Sequence, residues 1–371
     1  MSRKRPYRVA VLQWKAAGGV GEAIADELFS LGHRPVIFYD GSPVPEGVDV
    51  VFSFGPYGKF LAVPRQLARL PEFRRPLFVH WNTEGLPDLR IPWPLVRGIG
   101  SARSWIERQE WEQESLGRLL NAWPLSVASS KLKRRLMRYR YVGDYYYAYQ
   151  KGWMQVFADS SAIYAGIHSR NGLPTVYAPW GATRAWYADL GLERDIDVLW
   201  LGKRGTRRRS TLLDRVKREL EPHGVRMHIA DGREQPFIFG DERTEFANRA
   251  KITLNLTRTW YDDNFSRFAM IIPNRSLIIS EPLYAHCSGY KPGLHYVSAP
   301  IDQLSETILY YLEHEDERRE IVERAYQMVT RELTFNKSIE TIMGQVQRLK
   351  HRRVKVFSYE RGQLFDEFET V

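Results

Sequence analysis

A cluster of cationic side chains follows a strand-like segment in the middle of the chain. In VLWLGKRGTRRRS, Gly202 ends the apolar run, and five of the seven residues from Lys203 to Arg209 are lysine or arginine. The next segment, STLLDRVKREL, has helical spacing. Arginine binds phosphate bidentately, and the free N–H groups of a helix start add donors. The pattern predicts a diphosphate site with Lys203 and Arg204 nearest the strand end, although a solvated basic surface explains the same residues.

Glycines stand at a comparable junction near the beginning of the chain. Gly18, Gly19 and Gly21 lie between the strand-like YRVAVLQW and the helical GEAIADELFSLG. Glycine lets the backbone approach a ligand, and a helix amino terminus favours negative charge. A tight turn without a ligand accounts for these glycines equally well.

A third set of polar residues follows the strand-like PLFVHW. His80 closes this run, and Asn82 and Glu84 come directly after it. Parallel α/β sheets bind ligands at the carboxyl ends of their strands. Glu84 has the chemistry of a general base facing an acceptor, which would imply inversion, whereas a histidine beside Trp81 is also typical of a structural residue.

Strand-like and helix-like segments alternate through the chain and place these residues at strand ends. The first series is YRVAVLQW, PVIFY, VDVVFSF, PLFVHW, SVASS, QVFAD and PTVYAP, and a second series begins at IDVLWLG. Near-continuous apolar strands separated by helices predict parallel sheets. At 371 residues the chain is longer than one core usually supports, roughly 250–300 residues. We therefore predict two α/β domains of the Rossmann-like kind, at 1–183 and 184–345, with a last helix and tail at 346–371.

Composition narrows the class of protein. The single cysteine, Cys287, excludes an internal disulfide framework and suits a reducing cytoplasm. The sequence has no signal-peptide pattern and no run of about 20 apolar residues. The net charge of +10 favours anionic partners. We expect a cytoplasmic protein, with peripheral contact at the inner membrane face as an option.

Residues 131–153 combine cations with aromatic rings. In KLKRRLMRYRYVGDYYYAYQKGW, Leu132 and Leu136 share one helical face and leave the basic residues on the other. Such a segment suits an anionic membrane, an acceptor sugar or nucleic acid, and a plain amphipathic surface helix explains it as well. We rank the acceptor or membrane first and expect nucleic acid to be an unlikely partner.

The sequence offers no recognisable metal site. It contains neither a CxxC nor an HExxH motif. Asp195 and Asp197 precede their strand, on the side away from its ligand-binding end. We therefore expect no metal and no bound cofactor.

Several segments, in order, resemble the two-domain GT-B glycosyltransferases. GGVGEAIADELFSLGHRPVIF resembles their opening glycine loop, and PTVYAPWGAT the end of their first domain. FIFGDERTEFANRAKITLNLTR, RSLIISEPL and LYYLEHEDERREIVERAYQMVTRELTF resemble their second domain, with most similarity to the retaining group 1 enzymes and the subgroup related to a spore maturation protein. The resemblance implies two domains facing across a cleft and a last helix that returns to the first.

The resemblance also implies an activity. It predicts a metal-independent, hexosyltransferase-like enzyme of cell-surface glycan synthesis that moves a sugar from a nucleotide-diphosphate sugar to a glycan, a lipid-linked glycan or a protein, with retention. A sugar-nucleotide epimerase of the same fold is an alternative. A non-catalytic module that binds carbohydrate, nucleic acid or a partner protein is another.

Donor contacts follow from the same resemblance. Asn255 and Arg267 occupy positions where the subgroup commonly has Asn and Arg, and the backbone at Asn264 and Phe265 would hold the diphosphate. Closure of the domains would bring His80 and the Gly18–Gly19 loop over the sugar.

One expected donor residue is missing. Group 1 enzymes usually have two glutamates separated by seven residues, and here Asp262 takes the first place and Met270 the second. The second glutamate binds ribose hydroxyls in that family. Glu281 is our favoured substitute, an unusual donor is an alternative, and a fold that no longer catalyses is a third. Methionine on an apolar helix face also commonly serves ordinary core packing.

Overall fold

The computed structural model describes residues 6–14, 19–85, 87–111, 136–261, 265–284 and 289–366, with side chains described up to residue 350 apart from 110 and 111. The predicted strand SVASS, residues 126–130, lies outside the described residues. So do residues 131–135 of the basic aromatic stretch.

The first domain is built on a parallel sheet of six strands in the order β2-β1-β3-β4-β5-β6. The strands are β1 Arg8–Gln13, β2 Arg34–Tyr39, β3 Val50–Gly55, β4 Leu77–Asn82, β5 Val156–Asp159 and β6 Thr175–Tyr177. Its described helices are α1 Val20–Ser30, α2 Ala62–Ala68, α3 Trp93–Trp111, α4 Met137–Gln150 and α5 Ala162–Arg170. All six residues of β3 are buried, as expected for a strand covered on both faces.

The second domain has a parallel sheet of five strands in the order β11-β10-β9-β7-β8. Its strands are β7 Ile196–Leu201, β8 Met227–Ala230, β9 Ala250–Asn255, β10 Leu277–Ser280 and β11 Val297–Ser298. The described helices are α6 Arg207–Leu220, α7 Gly240–Arg249, α8 Ser266–Ile271, α9 Leu304–Glu313 and α10 Glu315–Arg331. The prediction of two Rossmann-like domains is confirmed.

The last helix, α11 Phe335–Asp366, returns to the first domain. Its buried residues join the first-domain core, and they are Phe335, Ile339, Ile342, Met343 and Val346. The return therefore begins earlier than residue 346, where the sequence placed the last segment. The three ranges 1–183, 184–345 and 346–371 remain predictions.

The chain crosses between the domains twice, and the two crossings are bonded to each other. Ala182 donates its N–H to the carbonyl of Leu333 at 2.9 Å, and Phe335 donates to the carbonyl of Ala182 at 2.8 Å. Glu27 of α1 accepts from Thr183 Oγ1 at 2.8 Å and from Asn336 Nδ2 at 2.9 Å. One carboxylate of the first domain therefore fixes both crossing segments.

Helices α3 and α4 cross at two glycines. A Cβ added at Gly143 would lie 2.0 Å from the carbonyl oxygen of Gly100, so a larger residue has no room. Beside this contact, buried Asp144 accepts from Ser104 Oγ at 2.5 Å. Burial raises the pKa of the Asp144 carboxyl to about 6.

Candidate functional site

The topology of the second sheet places a ligand site at the carboxyl ends of β7 and β9. The chain leaves β7 for β8 on one side and returns to β9 on the other, and this reversal opens a crevice between the two strand ends. Gly202 follows β7 with a φ of 97°, a conformation that favours glycine. The cationic cluster predicted from the sequence begins at this turn.

Arg267 and Asn255 are brought together at this crevice. One Nη of Arg267 donates to Asn255 Oδ1 at 2.5 Å, and the other donates to the carbonyl of Leu201 at 2.9 Å. The guanidinium carbon lies 4.7 Å from the ring centre of Trp200, close enough for a cation–π contact. Asn255 Nδ2 donates to Ser280 Oγ at 2.9 Å, so both side chains are held in place.

A cavity of about 70 Å³ opens beside Arg267. Its described lining contains three arginines and no carboxylate, and the lining residues are Arg209, Asn255, Leu256, Thr257, Arg258, Phe265, Ser266, Arg267, Phe268 and Leu283. Such a lining is suited to an anion, because guanidinium groups supply fixed donors and charge. The sequence ranked Arg209 below Lys203 and Arg204, and did not single out Arg258.

Arg204 is already enclosed by carboxylates. Its side chain binds Asp231 at 2.5 Å, Glu234 at 2.5 Å, and Asp214. Burial opposes ionisation of Asp231, yet the pKa of this carboxyl is lowered because Arg204 and backbone N–H groups bind its charged form. These ion pairs already engage Nε and both Nη groups of Arg204, which indicates a structural role. Binding of a diphosphate by Arg204 stays a prediction. The Lys203 side chain is exposed and has no hydrogen-bond or ion-pair partner among the described residues, while its backbone carbonyl accepts from Arg209.

The Glu281 carboxylate also already has hydrogen-bond and ion-pair partners. It is buried and forms a bidentate ion pair with Arg208, and it accepts from the Thr257 N–H at 2.6 Å and from Thr257 Oγ1 at 3.0 Å. These contacts use the acceptor positions that ribose hydroxyls would need. The prediction that Glu281 replaces the missing ribose carboxylate is corrected: Glu281 anchors Arg208 and the turn after β9.

Met270 packs as a hydrophobic residue. It is half-buried against the first-domain core, and Arg243 Nη1 lies 3.5 Å from its sulfur. The guanidinium of Arg243 also lies 5.8 Å from the ring centre of Trp186. The side chain therefore fills the contact between the domains, which is the packing role that the sequence left open for it.

Three of the predicted residues, Gly18, Asp262 and Asn264, lie outside the described residues. Phe265 is described and is 8% exposed, with its ring stacked 5.1 Å from that of Tyr290. Its side chain belongs to the second-domain core, and it also lines the cavity. Asp262 and Asn264 stay predictions.

Gly19 stands at the amino end of α1 with a φ of 80°. Two positions further on, the Gly21 N–H donates to Gln13 Oε1 at 2.7 Å. A Cβ at Gly21 would lie 2.2 Å from that oxygen. A side chain at position 21 would displace the Gln13 amide from this bond, a contact that the sequence gave no reason to select. A ligand at Gly19 stays a prediction.

His80 lies inside the first domain rather than at its edge. The side chain is fully buried among Phe60, Tyr145 and Phe157, and Nδ1 lies 3.3 Å from Ser53 Oγ. Burial lowers the pKa of this imidazole to about 3. The prediction that His80 touches the donor sugar is corrected, because the β4 register points it into the aromatic core.

Glu84 keeps an accessible position after β4. It is half-buried, and its backbone carbonyl accepts from Asn82 Nδ2 at 3.0 Å. Its carboxylate has no hydrogen-bond partner among the described residues. Asn82 itself binds Asp159 Oδ2 at 2.7 Å and accepts from the hydroxyl of Tyr145 at 3.0 Å, so it serves the core beneath Glu84.

Three of the seven aromatic residues of 131–153 are buried, and the other four are half-buried, with Tyr147 and Trp153 lining a cavity of about 300 Å³. Tyr141, Tyr145 and Tyr146 of α4 are buried in the first-domain core, and Arg140 lies 3.2 Å from Glu107. These three rings are not exposed for stacking on sugars. Contact of this stretch with a membrane stays a prediction.

The described ranges contain no group of three histidine, cysteine, aspartate or glutamate side chains placed to hold a metal. Asp195 and Asp197 are bound by Arg249 at 2.7 Å and Lys251 at 2.6 Å, at the amino ends of β7 and β9. Within the same ranges, no helix is both long enough and apolar enough to cross a bilayer.

Known proteins share this architecture. Residues 207–344, which span the site helices α6 and α8, match the family model described as glycosyl transferase-like. No protein of curated function matches the sequence.

Solved structures match over nearly the whole chain. Sucrose-phosphate synthase from Thermosynechococcus elongatus has a TM-score of 0.52 at 10% identity, covering 94% of this chain and 100% of that one. HepE of Anabaena with UDP and glucose has a TM-score of 0.54 at 9% identity, covering 92% and 100%. AviGT4, a glycosyltransferase involved in avilamycin A biosynthesis, has a TM-score of 0.52 at 13% identity, covering 93% and 98%. The chain therefore has the GT-B fold of these glycosyltransferases, and its second domain carries the glycosyl transferase-like family pattern.

Proposed function

We propose that the protein is a glycosyltransferase that takes a sugar from a nucleotide-diphosphate donor. The observation that carries the proposal is the arginine-lined cavity at the carboxyl ends of β7 and β9, where Arg267 is held by Asn255 and the carbonyl of Leu201. The family match over residues 207–344 covers the elements that build this cavity. HepE, which shares the fold, has been solved with UDP-glucose.

The diphosphate would be neutralised by the protein's own cations. Arg267, Arg258 and Arg209 line the cavity, and Lys203 stands exposed beside it. Charge developing on the leaving nucleotide would be stabilised by these preorganised donors. This arrangement supports metal-independent transfer.

Of the two predicted catalytic residues that the structure describes, Glu84 is better placed than the buried His80. It lies after β4 of the first domain, and its carboxylate is unpartnered among the described side chains. A carboxylate there would activate or orient an acceptor hydroxyl. Inversion is the outcome if Glu84 acts as a general base, whereas the family resemblance favours retention, in which Glu84 would only orient the acceptor. Anomeric analysis of the product by NMR distinguishes the two.

A thermal-shift screen tests the proposal. The purified protein is heated with UDP, GDP, ADP, CMP or dTDP, each with magnesium and with EDTA. We expect one of these nucleotides to raise the melting temperature, both in EDTA and in magnesium, because a ligand bound to the native state stabilises it. Loss of the shift in EDTA would contradict metal independence, and no shift with any nucleotide at millimolar concentration would contradict the donor site.

A non-catalytic binding module is the second candidate. Met270 packs against the first-domain core and Glu281 is bound by Arg208 and Thr257, so neither offers a carboxylate to ribose. This candidate predicts that the protein does not hydrolyse or transfer the sugar of any nucleotide sugar that it binds.

A further inference from the structure

Two exposed aromatic side chains stand together close in sequence to residues that line the donor cavity. Trp260 is 47% exposed and Tyr284 is 49% exposed, although tryptophan and tyrosine are mostly covered in folded domains. Their ring centres lie 5.0 Å apart at an interplanar angle of 87°. This edge-to-face contact holds each ring in place, and about half of each side chain still faces solvent.

The neighbours of these rings in sequence line the cavity itself. Arg258, two residues before Trp260, and Leu283, directly before Tyr284, are both lining residues. Trp260 follows β9 and Tyr284 follows β10, which places the two rings at the carboxyl edge of the second sheet, the edge at which the cavity lies.

Tyr261 connects the same turn to the first domain. It is 4% exposed and belongs to the first-domain core cluster, and its ring lies 5.2 Å from that of Trp260. Burial and the nearby Asp88 carboxylate raise the pKa of Tyr261, which places Asp88 and its partner Arg90 close to this turn. The aromatic pair therefore lies where the second domain meets the first-domain segment that contains Asp88 and Arg90.

We propose that Trp260 and Tyr284 form a carbohydrate subsite that packs against a pyranose ring of the acceptor, which makes the acceptor a glycan. One face of a pyranose presents C–H groups that pack on an aromatic face, while its hydroxyls stay free for polar groups such as Asp88 and Arg90. The inference rests on the proposed function. It goes further by selecting a glycan over a lipid or protein surface.

Saturation-transfer NMR tests the subsite with defined probes. Methyl glucoside, methyl galactoside, N-acetylglucosamine, maltose, cellobiose and chitobiose are added to the protein saturated with whichever nucleotide diphosphate binds it. We expect at least one sugar to bind, and Trp260→Ala to weaken it about tenfold or more. Trp260→Phe, which keeps an aromatic ring, restores most of the affinity.

Trp105→Ala is the matched control, because Trp105 is also 47% exposed but lies on α3. It leaves sugar binding unchanged. Nucleotide affinity and melting temperature stay unchanged in Trp260→Ala. The subsite is overturned if no probe binds the wild-type protein, if Trp260→Ala binds sugar as well as wild type, or if it loses nucleotide instead, which would assign the rings to the base. If no nucleotide diphosphate binds the wild-type protein, the proposed function fails first.

Discussion

Arg267 donates to Asn255 Oδ1 at 2.5 Å across the gap between α8 and the end of β9. Its second Nη bonds to the last carbonyl of β7, so one side chain joins the two strand ends at which the sheet reverses. A guanidinium fixed in this way presents its charge to the cavity with little further loss of side-chain freedom. It is thus a preorganised group for an anion rather than a solvated surface charge.

Replacing Arg267 should weaken nucleotide binding. A charged hydrogen bond contributes about 1.5–3 kcal/mol, so Arg267→Ala should lower the affinity for the nucleotide diphosphate by about 10- to 100-fold. Calorimetric titration measures the effect. Arg226→Ala is the control, because Arg226 binds Asp197 near the amino end of β7. Equal loss in both variants would mean that general charge, rather than the cavity, binds the nucleotide.

Replacing Lys203 and replacing its neighbour Arg204 should have different effects on nucleotide binding and on stability. Lys203→Ala should weaken nucleotide binding without changing the melting temperature, since the side chain is exposed. Arg204→Ala leaves Asp214, Asp231 and Glu234 facing one another, and we expect it to lower the free energy of unfolding by about 3 kcal/mol. Chemical denaturation measures this loss. An Arg204→Ala protein of full stability that no longer binds nucleotide would restore the role predicted from sequence.

Glu84→Gln should lower the rate of sugar transfer without changing the affinity for the nucleotide. If Glu84 assists the acceptor hydroxyl, the amide should lower the rate of sugar transfer by about 100-fold or more, because it cannot take a proton. The nucleotide affinity should not change, since Glu84 lies on the first domain and the cavity on the second. A variant that transfers sugar at the wild-type rate would remove Glu84 from the mechanism.

His80 should govern acid stability rather than catalysis. Its pKa is about 3 in the folded protein, against about 6.5 in an unfolded chain. Between these values the unfolded chain binds a proton that the folded protein does not. The free energy of unfolding is therefore unaffected by the ionisation of His80 above pH 6.5, and it decreases as the pH falls from 6.5 toward 3. The His80 contribution to the slope approaches about 1.4 kcal/mol per pH unit.

His80→Leu removes this contribution, and denaturation curves between pH 4 and 7 should show a shallower loss of stability on acidification. The slope is the readout, because Ser53 also loses its partner in the variant. His168, similarly buried with its pKa lowered to about 3 by burial, keeps its own contribution. A slope equal to that of the wild type would contradict the buried neutral imidazole.

The crossing of α3 and α4 should tolerate no side chain at Gly143. Gly143→Ala places a methyl group against the Gly100 backbone and should destabilise the protein by about 2–3 kcal/mol or more. Gly98→Ala is the control in the same helix as Gly100, with open space around its Cβ, and should stabilise by up to about 1 kcal/mol because alanine favours helix. Comparable stability of the two variants would contradict the close packing.

Much of the architecture was predictable because it depends on local pattern. Apolar runs such as VVFSFG become fully buried strands, and the alternation of strands and helices fixes two parallel sheets. Asn255 and Arg267 were selected by the family resemblance, and the structure shows them bonded to each other, while their donor-binding role stays a prediction.

The errors concern what each polar side chain faces. In the sequence Arg204 has the pattern of a phosphate ligand, whereas in the structure Asp214, Asp231 and Glu234 surround it. His80 ends an apolar run, but strand register decides whether it faces the cleft or the core. A sequence does not reveal such long-range partners, because residues distant along the chain supply them.

The central claim, that the β7–β9 cavity holds the donor diphosphate, is tested most directly by a crystal structure with the nucleotide diphosphate selected in the thermal-shift screen. The account predicts phosphate oxygens within hydrogen-bond distance of Arg267 and of the backbone N–H groups that follow Gly202. A nucleotide bound elsewhere, with this cavity unchanged and Arg267 untouched, would contradict it.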